Sequence, residues 1–253
     1  MNVSRIAWVA IRELFYERVF YILLSFAIAS LVFSLLLGQL TYAEQAKLTL
    51  DFMLGCTHIS MLLFSVFMGI SLFQRELTSG SISMVLSKPI SRSTFLIGKF
   101  AGQVAVQTLM TVSMGVLAVA ICSRFGGNLS VLATLQTVLL ISCEVAVLTA
   151  MTYLFAVNTG AITTAILTFA LFALGHTRGL VNSNLRSNEE LAVWQTVRTF
   201  VPDLQVFDMK QLASYGQSIA WNEFGWATLY AFVCLSFYLV IAAACFERKD
   251  ILT

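Results

Sequence analysis

Charge is the scarcest thing in this sequence. Only 11% of its 253 residues are Asp, Glu, Lys or Arg, against about 25% in a soluble domain. Hydrophobic residues make up 58%, and the mean hydropathy is +0.86. An apolar surplus of that size cannot all be buried in one soluble core, so lipid must be the solvent for much of the chain. A net charge of only +2 gives no electrostatic case for a nucleic-acid partner. The five cysteines, Cys56, Cys122, Cys143, Cys234 and Cys245, form no CxxC pair and fall in or beside apolar stretches. They read as small buried hydrophobes, and suggest neither a disulfide framework nor a metal cluster. No GxxxxGK[ST] motif is present, because Gly98-Lys99 runs into Phe100 and lacks the upstream glycine; the chain should not bind ATP through a P-loop. No serine or cysteine triad and no paired carboxylates for hydrolysis stand out, and Cys143 beside Glu144 has no base spaced to serve it. Two histidines, His58 and His176, with no ligand cluster beside them in the sequence, do not make a copper or zinc site. Internal repeats and low-complexity tracts are also lacking, so residues 1–253 read as one domain.

What is there is a series of long apolar runs. A bilayer core about 30 Å thick needs roughly 20 apolar residues as helix. Six runs qualify or nearly qualify: Val19–Leu40, Phe52–Phe73, Ala101–Cys122, Val131–Ala156, Ala161–Leu174 and Trp226–Phe246. The fifth is short but free of charge. Ala27 and Ala29 imitate a signal-peptide cleavage site. However, the run stays apolar to Leu37, and Glu13 and Glu17 spoil a basic leader, so an uncleaved first span is expected. With the N-terminus inside, the inner segments hold Arg5, Arg12, Arg18, Arg75, Lys88, Arg92, Lys99, Arg248 and Lys249, while the short outer loops hold only Lys47 and Arg124; the long outer segment holds Arg178, Arg186, Arg198 and Lys210, but long loops count less. The positive-inside rule therefore puts both termini in the cytoplasm. The fold class is an all-α membrane protein with six transmembrane helices.

The segments between spans carry further signals. Residues 2–18 predict an amphipathic helix in the plane of the membrane interface, with Val3, Trp8, Ile11, Leu14 and Phe15 on one face and Arg5, Arg12, Glu13 and Glu17 on the other. In the inner loop, residues 74–100, Ile82, Val85, Leu86 and Ile90 can share one side of a short helix that Pro89 breaks at Lys88. A short helix presented to the cytoplasm suits docking to a partner protein. The outer segment, residues 175–225, holds a capping box at Ser187 and Glu190 and a helical repeat of Trp194, Val197 and Val201 ended by Pro202. A second short helix is expected from Asp208 to Gly216. These outer helices should lie on, or dip into, the outer leaflet, with Trp221, Phe224, Trp226 and Tyr230 as an aromatic belt.

The inner loop is also where the chain resembles a known family. Glu76, Gly80, the run Leu86-Ser87-Lys88-Pro89-Ile90-Ser91-Arg92, and Gly98-Lys99-Phe100 look like the type-2 ABC exporter permeases. More narrowly, they resemble the branch of multicopper-enzyme-maturation permeases. The resemblance continues through Glu144, Gly175-His176, the run from Val201 to Phe207 and the tail from Phe246 to Leu252. Asp203 stands where the family more often has asparagine. The resemblance implies six spans, an N-terminal interfacial helix, re-entrant helices before the last span, and a dimer with a second permease copy or a paralogue. It also implies a separate cytoplasmic ATPase subunit that holds ATP and Mg, with no cofactor in this chain, and a place in the inner membrane. The coupling site by that analogy is Glu76, Gly80, Ile82, Val85, Leu86, Lys88, Pro89 and Arg92. Copper-enzyme assembly by some relatives is not read as metal binding here.

Three polar residues interrupt the spans: His58, Gln107 and Glu144. A charge near the bilayer midplane costs at least about 2.5 kcal/mol, so Glu144 needs a proton or a partner. Gln107 sits at a similar depth if spans three and four form an antiparallel hairpin, and a Gln107–Glu144 hydrogen bond is the simplest expectation. The sharper alternative is a polar lining of a substrate path or dimer cavity. His58, near the outer end of span two, reads as a hydrogen-bonded helix residue rather than a metal ligand. Two other functions stay open beside an exporter permease. One is a membrane scaffold in an assembly complex; the other is an intramembrane lipid-acting enzyme, which would need more polar residues at one depth than Glu144 alone.

Overall fold

The structure is a computed structural model that describes residues 3–39, 45–78, 92–125, 130–177 and 201–248. The described residues are helices joined by turns: α1 (Val3–Tyr16), α2 (Arg18–Gln39), α3 (Gln45–Thr78), α4 (Arg92–Cys122), α5 (Val131–Asn158), α6 (Ala161–His176), α7 (Lys210–Ser214) and α8 (Trp221–Arg248). Short 3-10 turns cover Ser123–Phe125 and Leu204–Phe207. This is the all-α membrane architecture that the composition demands, since only helices or closed barrels satisfy every backbone group in lipid.

Among the described residues, five helices are long and apolar enough to cross a bilayer: α2, α3, α4, α5 and α8. Their ends differ from the apolar runs. Helix α3 begins at Gln45 rather than Phe52 and continues to Thr78, and α4 begins at Arg92 rather than Ala101. Polar residues at either end extend the helices past the hydrocarbon. The fifth run, α6, has 16 residues and is about 24 Å long at 1.5 Å per residue. It stops short of the thickness that the others cross.

Helix α5 is the centre of the bundle. It packs against α3, α4, α6 and α8, and its large side chains are open mainly along Val131, Leu132, Leu135 and Leu139. Helix α8 lies along it, burying Ala227, Ala231, Tyr238, Ala242 and Phe246. Arg92 ties the start of α4 to the end of α8 by donating to the carbonyls of Phe246 (3.2 Å) and Glu247 (3.3 Å).

Helix α1 uses a different face from the one expected. The residues packed inward are Ile6, Ala10 and Leu14. Trp8, at 62% exposure, and Val3, Val9 and Phe15 face away. The helical wheel divides this segment into one apolar and one charged side; the structure splits the apolar arc between protein and surroundings. The protein side lies on α4, where two glycines permit it. A Cβ on Gly102 would stand 2.6 Å from the Ala7 carbonyl oxygen, and one on Gly98 would stand 2.7 Å from Ile6 Cβ. Such close backbone approach is the usual role of small residues between membrane helices. Lys99, buried beside them, pairs with Glu13 of α1.

This contact predicts an asymmetry between glycines. Gly102→Ala forces the α1 backbone away and should lower stability by about 1–3 kcal/mol. Gly225→Ala, where nothing lies within 4 Å of the added methyl, should leave stability unchanged or raise it by about 0.5–1 kcal/mol. Thermal unfolding of the two variants in the same detergent checks both signs.

Candidate functional site

Helix lengths bring three polar side chains to one level. His58 lies 13 residues into α3 from Gln45, and Glu144 lies 13 residues into α5 from Val131. At 1.5 Å per residue both are about 20 Å from the same end of the bundle. Helix α6 starts beside the other end of α5 and, being short, ends at that level with His176. The result is a cluster: Glu144 Oε2 is 3.1 Å from His58 Nε2, and Glu144 Oε1 is 3.5 Å from His176 Nε2. Glu144 is 1% exposed and His58 4%. Phe172, whose ring centroid is 4.5 Å from that of His176 and 5.8 Å from that of His58, walls one side.

One sequence expectation fails here, and another is met with an addition, since His58 is hydrogen-bonded as expected, through Lys210. Glu144 does not bond Gln107. Instead, Gln107 Oε1 lies 3.0 Å from Thr149 Oγ1, and Thr149 in turn lies 2.9 Å from Ser65 Oγ. Both height and rotation differ from the expectation: Thr149 is five residues past Glu144, about 7.5 Å further along α5 and on a different face. The histidines are also not isolated. They share one carboxylate, and His58 Nε2, His176 Nε2 and a Glu144 oxygen could together hold an ion. No local motif announced this, because the three residues come from three helices; the one clue was that each interrupts or ends an apolar run.

The chain from Val201 to Ala220 closes the cluster. Val201, Leu204, Phe207, Ala213 and Ile219 are all buried, so this segment enters the bundle rather than lying on it. Asp203 caps the 3-10 turn by accepting from the Gln205 N–H (3.2 Å), and the Asp203 N–H donates to Tyr230 Oη (2.7 Å). Gln205 donates to the carbonyl of His176. The helix expected from Asp208 to Gly216 is the shorter Lys210–Ser214. Lys210 Nζ lies 2.8 Å from His58 Nδ1 and 3.3 Å from Asp208 Oδ1. Ser214 donates to Asp51 Oδ1 (3.2 Å). Gln136 of α5 pairs with Ile219 twice, donating to its carbonyl (3.1 Å) and accepting from its N–H (3.0 Å). A cavity of about 470 Å³ opens beside Lys210, lined by Asp51, Gly55, Gln205, Asp208, Lys210 and Gln211.

A family model described as ABC-2 family transporter protein matches residues 6–251, nearly the whole chain. The chain belongs to the ABC-2 transporter family. It is a permease component rather than an ATPase of that system. Comparison with curated proteins gave no match. Of the coupling residues that the resemblance implied in this ABC-2 permease, Glu76 falls within the backbone of α3 and Arg92 opens α4. Gly80, Ile82, Val85, Leu86, Lys88 and Pro89 lie outside the described residues, as do Ser187, Glu190 and Trp194.

The double pairing of Gln136 with Ile219 gives a test of how the inserted segment is held. Gln136→Leu leaves a buried N–H and a buried carbonyl unpaired, at about 1–3 kcal/mol each. Hydrogen–deuterium exchange should then rise over residues 201–220 while that of α4 stays unchanged. Faster exchange spread evenly over all helices would mean that Gln136 serves the whole core rather than this segment.

Proposed function

We propose that this chain is the membrane-spanning subunit of an ATP-driven exporter, coupled to a separate cytoplasmic ATPase that holds ATP and Mg. The observation that carries the reading is the family match over residues 6–251, laid on a helical chain with no P-loop of its own. Such a subunit needs a motor, and the segment between α3 and α4 is the candidate contact. Glu76, Gly80, Ile82, Val85, Leu86, Lys88, Pro89 and Arg92 supply its polar and apolar positions. In this reading the ATPases close on ATP, push the coupling segments, and the bundles rearrange to move a substrate. The functional unit contains a second permease copy or a paralogue.

The charge distribution supports an orientation. Arg5, Arg12, Arg18, Arg75, Arg92 and Arg248 fall on α1 and at the neighbouring ends of α2, α3, α4 and α8, and by the positive-inside rule this supports a cytoplasmic side for that end, in an inner membrane on this reading. Trp8, Val9 and Phe15, left exposed by α1 beside its charged arc, suit an interfacial helix. The narrower likeness to the multicopper-enzyme-maturation branch belongs to this reading too, with the substrate class undefined.

The His58–Glu144–His176 cluster favours a second reading, an intramembrane enzyme, which needs several polar groups at one depth. Nothing in the family match calls for one, so the exporter stands first. Co-expression with the ATPase encoded beside it separates the two. The exporter reading expects a stable complex that is lost with Glu76→Lys or with Pro89→Ala combined with Leu86→Asp, with the variants still inserted in the membrane. A wild-type chain that binds no ATPase, with every candidate tried, moves the assignment to the enzyme or scaffold.

A further inference from the structure

We propose that His58 Nε2, His176 Nε2 and one oxygen of Glu144 form a three-ligand site for a divalent transition ion, with zinc the best match. It stands whether or not the chain couples to an ATPase.

Geometry carries the case. Ligands placed tetrahedrally about Zn²⁺ at about 2.0–2.1 Å sit roughly 3.3 Å from one another. His58 Nε2 is 3.1 Å from Glu144 Oε2 and His176 Nε2 is 3.5 Å from Glu144 Oε1, and one ligand atom from each of the three residues lies within 4.8 Å of the others. A second observation is independent of those distances. His58 Nε2, both ring nitrogens of His176 and both oxygens of Glu144 have no hydrogen-bond partner of good geometry among the described residues. They are close but misaligned for bonding to each other, and the point between them is where an ion would sit. Unpaired buried polar groups are costly, and an ion at that point would satisfy at least three of the five at once.

Donor type sets the ion. Two imidazoles and a carboxylate suit zinc and its borderline neighbours. Cys143 lines a separate apolar cavity with Val104, Leu139 and Phe232, and the ligand group among the described residues includes no cysteine for a soft cuprous ion. Magnesium and calcium need more oxygen ligands than one carboxylate supplies. The cavity beside Lys210, with Asp51 and Asp208 in its wall, is a polar approach from the near end of the bundle.

Lys210 adds a consequence specific to this site. Its ammonium donates to His58 Nδ1 (2.8 Å), which leaves the ring proton on Nε2, the atom that would bind metal. A histidine ligated through Nε2 carries its proton on Nδ1 and wants an acceptor there. Metal and lysine therefore compete for His58. Asp208, 3.3 Å from Lys210 Nζ, is placed to take the ammonium when the ion enters. Lys210 becomes a residue that weakens binding and makes it reversible.

The test uses the full-length chain, free of any histidine tag, in lipid nanodiscs, with Zn²⁺ alone as the probe against a chelating indicator. One equivalent should bind, unaffected by excess Mg²⁺. His58→Gln and His176→Gln should each lose it, whereas Lys210→Met should bind about tenfold or more tightly. X-ray absorption at the zinc edge of the wild type, which needs no variant to fold, should show nitrogen and oxygen neighbours including imidazole. Failure to bind zinc, sulfur in the coordination shell, binding that survives both histidine changes, or weaker binding by Lys210→Met would each overturn the site as drawn.

Discussion

Inside a bilayer no water is available for a backbone group that its own helix does not satisfy, and this constraint organises the upper half of the molecule. Helix α6 ends at His176, level with a residue 13 positions deep in α5. Its last carbonyls would be bare there. The chain answers in two ways. Thr177 returns its N–H (3.0 Å) and its hydroxyl (2.8 Å) to the carbonyl of Ala173, and Gln205, arriving from the inserted segment, donates to the carbonyl of His176. The short helix thus requires the segment from Val201 onward, and that segment requires anchors of its own, which Gln136, Tyr230 and Asp51 provide. Gly175 lets it approach, since a Cβ there would meet Leu204 at 2.8 Å and the Pro202 carbonyl at 3.0 Å.

The other end is assembled by different physics. Lipid tails are as apolar as leucine, so burial alone does little to join helices in a membrane. Close packing and polar contacts take over. Glycines at 98 and 102 bring α1 against α4, Lys99 and Glu13 pair across the same contact, and Arg92 holds the end of α8. Through the middle, Ser65, Gln103, Gln107 and Thr149 stitch α3, α4 and α5 together. Hydrogen bonds of this kind are worth about 0.6 kcal/mol each on average, so orientation rather than large stabilisation is what they supply.

The spans were legible because hydropathy is a one-dimensional signal, and a run such as Val131–Ala156 has no soluble alternative. Glu144 was legible for the same reason, as a charge where none belongs. Its partners were not. Pairing between helices depends on rotation and relative height, and one sequence records neither. Gln107 meets α5 at Thr149, about one and a half turns past Glu144; an apolar run beginning at Phe52 puts His58 near a membrane surface, and the seven residues by which α3 starts earlier put it a further two turns down. Helix α1 shows a related limit. The wheel found its apolar arc, but only the glycines of α4, far along the chain, decide which part of that arc meets protein.

A buried carboxylate set between imidazoles is weak evidence for stability, because desolvation offsets most of the attraction. The cluster at Glu144 is a poor choice if joining helices were its only purpose, since Ser65, Thr149 and Gln107 already join α3, α4 and α5 further along the same helices. An apolar trio of similar volume would pack α3, α5 and α6 without leaving five polar atoms misaligned. What an apolar trio could not do is respond to something entering from the polar cavity. The cavity is lined by the inserted segment, the segment carries Lys210, and Lys210 touches His58. An event at Glu144 is therefore felt first by the segment that caps α6, and through Gln205 and Gln136 by the ends of two membrane helices. That chain of contacts gives the cluster a consequence beyond its own energy: it places a chemically responsive centre where the bundle is closed by hydrogen bonds rather than by continuous helix.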